Sequence, residues 1–176
     1  MSFPRVAIII LNWNGWEDTL ECLESVYQIN YPEYDVIVVD NNSEDISIKK
    51  IEDYCAGYIK VDSNFFNYQN KNPIKIFEYS SNELQSSKLP EMDVINSVKP
   101  NEKLILIKNH KNYGFAKGNN IGISYALKSL DADYVLLLNN DTVVDKDFLT
   151  ELVDAAKTND NVGFVGPKVY IYSDKN

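Results

Sequence analysis

Hydrophobic and polar positions alternate between two periods along this chain. Residues 5–11 (RVAIIIL) are an unbroken β-branched run. Such a run fits a strand buried on both faces, as in a parallel sheet covered by helices. Asn12-Trp13-Asn14-Gly15 interrupts it. Trp16, Leu20, Leu23 and Tyr27 then recur at spacings of four, three and four, which is one face of a helix. Glu17 and Asp18 suit its first turn, Asn14 suits the cap, and Tyr31-Pro32 ends it. Residues 34–39 (YDVIVV) predict a second buried strand, and 46–54 a short helix. Residues 103–108 (KLILIK) and 134–138 (YVLLL) predict two more strands. Helices are expected over 116–130, with Ile121, Tyr125 and Leu130 inward, and over 147–157. Gly118 and Gly122 weaken the first of these. A last strand is expected over 162–169. Strands alternating with helical periods predict an α/β fold with a mainly parallel sheet flanked by helices.

Residues 56–101 break the alternation. They are rich in Asn, Ser and Tyr, and a structureless loop of that length is uncommon within a domain. Residues 74–79 (IKIFEY) alternate with period two and predict a strand inside it. The segment is expected to be an insertion in a single domain spanning residues 1–176.

Composition narrows the function. The 176 residues carry 17 Lys plus Arg against 26 Asp plus Glu, a formal net charge of −9. That excludes broad nucleic-acid binding, which needs basic residues to neutralise phosphates. Two cysteines, Cys22 and Cys55, form no disulfide framework and read as buried thiols. One histidine, His110, leaves no room for a His-rich metal site. No apolar run approaches the roughly 20 residues of a membrane helix. The expected compartment is the cytoplasm, with peripheral attachment to the inner membrane face open.

Candidate chemistry sits where the strands end. Ligands of open α/β sheets bind at the carboxyl ends of strands, near a reversal of strand order. Here three strands close in polar groups: Asn12-Trp13-Asn14, Asp40-Asn41-Asn42-Ser43, and Asn139-Asn140-Asp141-Thr142. Trp13 offers a face for a base. Asp40 can accept a hydrogen bond from a base or a ribose. Asp141, with Asn139, offers hard oxygen ligands for a divalent ion that would also meet phosphates. Asn and Asp in such places are also common turn and capping residues. Residues 112–120 (NYGFAKGNN) open a helix and lack both the Walker and the Rossmann glycine spacing.

In order, these segments resemble the family-2 glycosyltransferases of the GT-A fold, most nearly their rhamnosyltransferase-like branch. The likeness is carried by residues 8–15 (IIILNWNG), 18–26 (DTLECLESV), 36–43 (VIVVDNNS), 112–122 (NYGFAKGNNIG), 134–142 (YVLLLNNDT) and 162–168 (VGFVGPK). It implies inverting transfer of a sugar, from a UDP- or dTDP-sugar with rhamnose among the candidates, to an acceptor hydroxyl of a glycan or a lipid-linked glycan. By the same resemblance, Leu11, Asn12, Trp13 and Asn14 cradle the base and Asp40 bonds to it, with Asn42 beside it. Gly114, Phe115, Lys117, Asn119 and Asn120 meet ribose and diphosphate. Asn139, Asn140 and Asp141 match the Asp-x-Asp motif, so Asp141 and Asn139 would hold Mg²⁺ or Mn²⁺, with Asn in the first acidic place. Surface-polysaccharide synthesis is the implied setting. The catalytic base is expected beyond residue 176, since Asp174 lies too near the last strand, so no residue here is assigned that role. The chain therefore reads as the donor-binding portion of a longer protein. A non-catalytic module binding nucleotide or protein through the insertion is the alternative. A sugar nucleotidyltransferase ranks last, because residues 12–15 lack a basic group for a triphosphate.

Overall fold

The computed structural model describes residues 3–69, 73–85, 92–159 and 161–171. Five strands form one sheet: β1 (Val6–Asn12), β2 (Tyr34–Asp40), β3 (Lys75–Ser80), β4 (Lys103–Lys108) and β5 (Tyr134–Asn139). Their order is β3-β4-β2-β1-β5, and every pairing is parallel. Helices α1 (Trp16–Val26), α2 (Ser47–Cys55), α3 (Met92–Ser97) and α4 (Gly114–Tyr125) lie in the connections between strands, and α5 (Phe148–Ala156) follows β5.

Alternate side chains of the central strands go to opposite cores, as the two-residue period of a strand requires. Ile8, Ile10, Val36, Val38, Leu104 and Leu106 pack with Leu20 and Leu23 of α1, Ile51 of α2, and Leu149 and Val153 of α5. Ile9, Ile37, Val39, Ile105 and Ile107 pack on the other face with Tyr125 at the end of α4, then Ala126 and Leu130. Each such burial contributes about 1.5–3 kcal/mol. This double burial is why β1, β2 and β4 are apolar throughout rather than alternating.

The glycines that weaken α4 as an isolated helix are what let it dock. A Cβ on Gly118 would lie 2.6 Å from a Leu11 methyl, and one on Gly122 would lie 2.8 Å from Cγ2 of Ile9. Helix α4 ends in one π turn over Ala126–Leu130, stopped by Asp131 in the left-handed region.

After α2, Ile74 N–H donates to the Cys55 carbonyl at 2.7 Å and brings the chain back beside the end of that helix. Buried Glu24 fastens the chain before Ile74: its carboxylate accepts from the backbone N–H of Gln69 at 2.8 Å and from Gln28 Nε2 at 2.8 Å. Strand β3 follows and joins the sheet as an edge strand along β4. At the amino end of the sheet, buried Asp35 pairs with Arg5 and Lys103, both at 2.7 Å. The Lys103 ammonium also reaches the Ile95 carbonyl of α3 at 3.1 Å, which ties α3 to the sheet.

Three expectations are corrected. Helix α1 ends at Val26 with Tyr27 as its C-cap, five residues before Tyr31-Pro32. Residues 161–171 form no strand and are largely exposed, Phe164 at 95% and Val169 at 81%. Strand propensity becomes a strand only when a neighbour supplies the ladder, and among the described residues none pairs there. Asn14 does not cap α1. Gly15 occupies that position, while Asn14 adopts φ +52°, which Asn tolerates better than most residues. Both cysteines are buried as expected.

Candidate functional site

The chain runs from β1 to β2, then to the edge strand β3 and back to β4 on one side, and finally crosses to β5 on the other side of β1. The reversal lies between β1 and β5. A cavity of about 220 Å³ opens there at the carboxyl ends, lined by Leu11, Leu137, Leu138, Asn139, Asn140, Asp141, Phe115 and Asn119.

One wall is braced from within. Asn12 is fully buried; its Nδ2 donates to Asp40 Oδ1 at 2.8 Å and to Ser43 Oγ at 3.1 Å, and its Oδ1 accepts from Thr19 at 2.9 Å. Asp40, 1% exposed, also accepts from the Ser43 hydroxyl at 2.6 Å and the Ser43 N–H at 3.0 Å. Its carboxylate is thus turned into the fold. Asn14 stands over this brace. It donates its N–H to Ser43 Oγ at 3.0 Å, and its Oδ1 accepts from Glu44 N–H at 2.8 Å. Between them Trp13 is 56% exposed, its indole free to meet a ligand. Asn42 takes φ +62° in the turn after β2.

The opposite wall is open. Asn139 and Asp141 are exposed on the cavity lip. Asn140 faces inward between them, donating to the Gly15 carbonyl at 3.3 Å and Thr19 Oγ1 at 3.1 Å, which couples β5 to the start of α1. A Cβ on Gly15 would lie 2.9 Å from that amide nitrogen, so a side chain there would have to displace the Asn140 carboxamide. The electrostatics here are negative. Partial burial, then Asp141, then Glu17 and Glu21, push the Asp18 carboxyl above its usual range. Burial likewise pushes the Cys22 thiol far up, so it is no nucleophile.

The third wall is the start of α4. Phe115 is 64% exposed over the cavity, and Asn119, buried, donates to the Phe115 carbonyl at 3.0 Å. Gly114 adopts φ +77°. Lys117 lies 4.3 Å and Lys111 5.2 Å from the Tyr113 ring. His110 is exposed, with Nε2 2.9 Å from the Tyr113 hydroxyl.

The structure therefore gathers Leu11, Phe115, Asn119, Asn139, Asn140 and Asp141 around one cavity. Asn12 and Asp40 are set behind it as a brace. Trp13, Asn14, Asn42, Gly114, Lys117 and Asn120 lie outside its lining. The sequence names Asn41 and Ser43 only as polar residues closing the second strand and gives Thr19 no part, yet all three organise the rim. Thr19 carried one signal, a hydroxyl among the inward positions of α1. The donor set on the lip suits a hard divalent cation. Asp141 supplies a carboxylate and Asn139 a carbonyl oxygen, the sparse protein share typical of Mg²⁺ that also binds phosphate. Among the described residues, no three His, Cys, Asp or Glu cluster as a self-sufficient metal cage.

This fold and rim define a class, the GT-A glycosyltransferases. The family model described as Glycosyl transferase family 2 matches residues 7–72 and 92–176, and the chain belongs to that family. The unmatched stretch between those segments contains β3. The chain is similar to the mannosyltransferase PcManGT of Pyrobaculum calidifontis, solved with GDP-Man and Mn²⁺. The TM-score is 0.60 and the identity 18%, over 89% of this chain and 33% of that one. It is also similar to residues 1–349 of S. aureus TarS, with TM-score 0.52 and identity 19%, over 86% of this chain and 32% of that one. The TarS complex with UDP-GlcNAc gives a TM-score of 0.51 at 18% identity, covering 86% and 31%. At such identities the likeness establishes the fold. The chain spans about a third of the length of these structures. No curated protein sequence matches it.

Proposed function

We propose that the chain forms the nucleotide-sugar-binding part of a glycosyltransferase that moves a sugar, with inversion, from a nucleotide diphosphate sugar to an acceptor hydroxyl. The observation that carries this reading is the cavity at the β1/β5 reversal, with Asp141 and Asn139 on its lip. Trp13 stacks the base, and Leu11 and Phe115 give the cleft apolar walls. Asp40, Asn12 and Ser43 act one step back, by holding the backbone from which Trp13 projects. Asn140 fixes the β5 turn so that its neighbours face outward.

Asp141 and Asn139 hold the divalent cation, Mg²⁺ or Mn²⁺. When bound, that cation neutralises charge on the departing diphosphate as a Lewis acid. The Asn-Asn-Asp form of the motif supports the rhamnosyltransferase-like branch, and with it a glycan or lipid-linked acceptor in surface-polysaccharide synthesis. Among the described residues no helix is long and apolar enough to cross a membrane. The base that takes the acceptor proton is given to no described residue, and Asp174 lies outside them. Calorimetric titration with UDP, dTDP and GDP, with and without Mn²⁺ or Mg²⁺, tests the reading. Metal-enhanced binding of at least one is expected.

A further inference from the structure

We propose that Asn41 is a positioning residue: its carboxamide fixes the start of α4, at Gly114, against the end of β2, and so sets where Phe115 stands over the cleft. The inference rests on the reading of that cleft as a nucleotide site.

Asn41 is 2% exposed and bonds at both ends of its side chain. Its Oδ1 accepts from the Tyr113 N–H at 3.0 Å and from Asn109 Nδ2 at 3.1 Å. Its Nδ2 donates to Asn112 Oδ1 at 2.8 Å and to the Gly114 carbonyl at 3.3 Å. Backbone groups fix this orientation. The Tyr113 N–H is only a donor and the Gly114 carbonyl only an acceptor. Asn112 Oδ1 is committed as well, because it accepts the Gly114 N–H at 2.7 Å. No single residue type other than an amide can face these groups in this arrangement. The backbone meets the same point from the other side: Asn41 N–H donates to the Asn12 carbonyl at 2.8 Å, and Asn109 N–H to the Asp40 carbonyl at 2.9 Å. Asn41 thus connects β1, β2, the loop after β4 and the first turn of α4, although 71 positions separate it from Asn112. A Cβ on Gly118 would come within 3.4 Å of Nδ2, so α4 is held close on this side too.

Asn41→Asp is the sharpest probe. It keeps both accepted bonds and turns both donated ones into oxygen–oxygen contacts. Three readouts decide the matter on the full chain: hydrogen exchange at Tyr113 and Gly114 without ligand, melting temperature, and calorimetric affinity for UDP, dTDP and GDP with Mn²⁺. The expected result is about tenfold faster exchange at Tyr113 and Gly114 with β1 and β2 still protected, and about tenfold weaker nucleotide binding. Unchanged exchange, or unchanged affinity in a folded Asn41→Asp, overturns the proposal. If Asn41→Asp fails to fold, the exposed partner decides. Asn112→Ala is expected to weaken binding several-fold, and Asn112→Asp, which keeps the accepting oxygen, to restore it. Equal binding by both overturns the proposal. If the wild type binds none of the three nucleotides, the nucleotide reading fails, while exchange at Tyr113 still reports whether Asn41 holds the loop.

Discussion

Asp40 ends the apolar strand β2 and Asp141 follows the apolar strand β5; both sit at the carboxyl edge of the same sheet, and the two have opposite surroundings. Asp40 is 1% exposed and accepts three hydrogen bonds from Asn12 and Ser43. Asp141 is exposed on a cavity lip beside Asn139, and after partial burial its charge is the next cause that raises the Asp18 carboxyl. The difference follows from strand order. β2 is interior, between β1 and β4, so the turn after it is roofed by neighbouring loops. β5 flanks β1 on the side where the order reverses, so the turn after it opens onto a crevice. One carboxylate builds the rim, and the other is left available to a ligand.

The largest expected effect separates the two on stability. Asp40→Ala strands the buried donors of Asn12 and Ser43 and should cost about 3 kcal/mol in urea unfolding, whereas Asp141→Ala should stay within about 0.5 kcal/mol of wild type. Equal losses would erase the distinction. On ligand binding the ranking inverts. Trp13→Ala should weaken nucleotide binding about tenfold, ~1.4 kcal/mol, with or without metal, while Asp141→Ala should remove only the metal-dependent part. Calorimetry in the presence of Mn²⁺ and again with EDTA resolves the two.

The shared wall gives a smaller effect. Gly122→Ala gains helix propensity but drives a methyl toward Cγ2 of Ile9 and Cγ2 of Val39, at 2.8 and 3.1 Å. Overpacking should prevail by about 1 kcal/mol, seen as a lower melting temperature. The smallest effect is in pH. Folding raises the Asp18 carboxyl, so its ionised form opposes folding above the raised value and costs nothing below the ordinary carboxylate range. Asp18→Asn should therefore raise the melting temperature slightly at pH 7 and leave it unchanged near pH 3. A gain equal at both pH values would contradict a raised Asp18 carboxyl.

Much of this molecule was legible in its sequence because double burial writes long apolar runs. Residues 5–11, 34–39, 103–108 and 134–138 fall within a residue of β1, β2, β4 and β5 at every boundary. Period two also located β3, but nothing local said it would lie along β4 as a parallel edge strand. The run at 162–169 shows the converse, since an apolar pattern without a ladder partner stays unpaired. The rim was half legible. Polar residues closing apolar strands announced Asn139, Asn140 and Asp141, yet did not separate Asp40 from Asp141, because burial depends on strand order rather than on the motif. Asn41 and Asn42 look alike in sequence; only the return of the chain after β4 gives one of them four partners.

The most direct test of the central claim is titration of UDP, dTDP and GDP into wild type and Asp141→Ala, with Mn²⁺ present. The account predicts that wild type binds at least one of the three and that Asp141→Ala loses the metal-dependent share while melting like wild type. No binding of any nucleotide by a folded wild-type protein with metal present would contradict it.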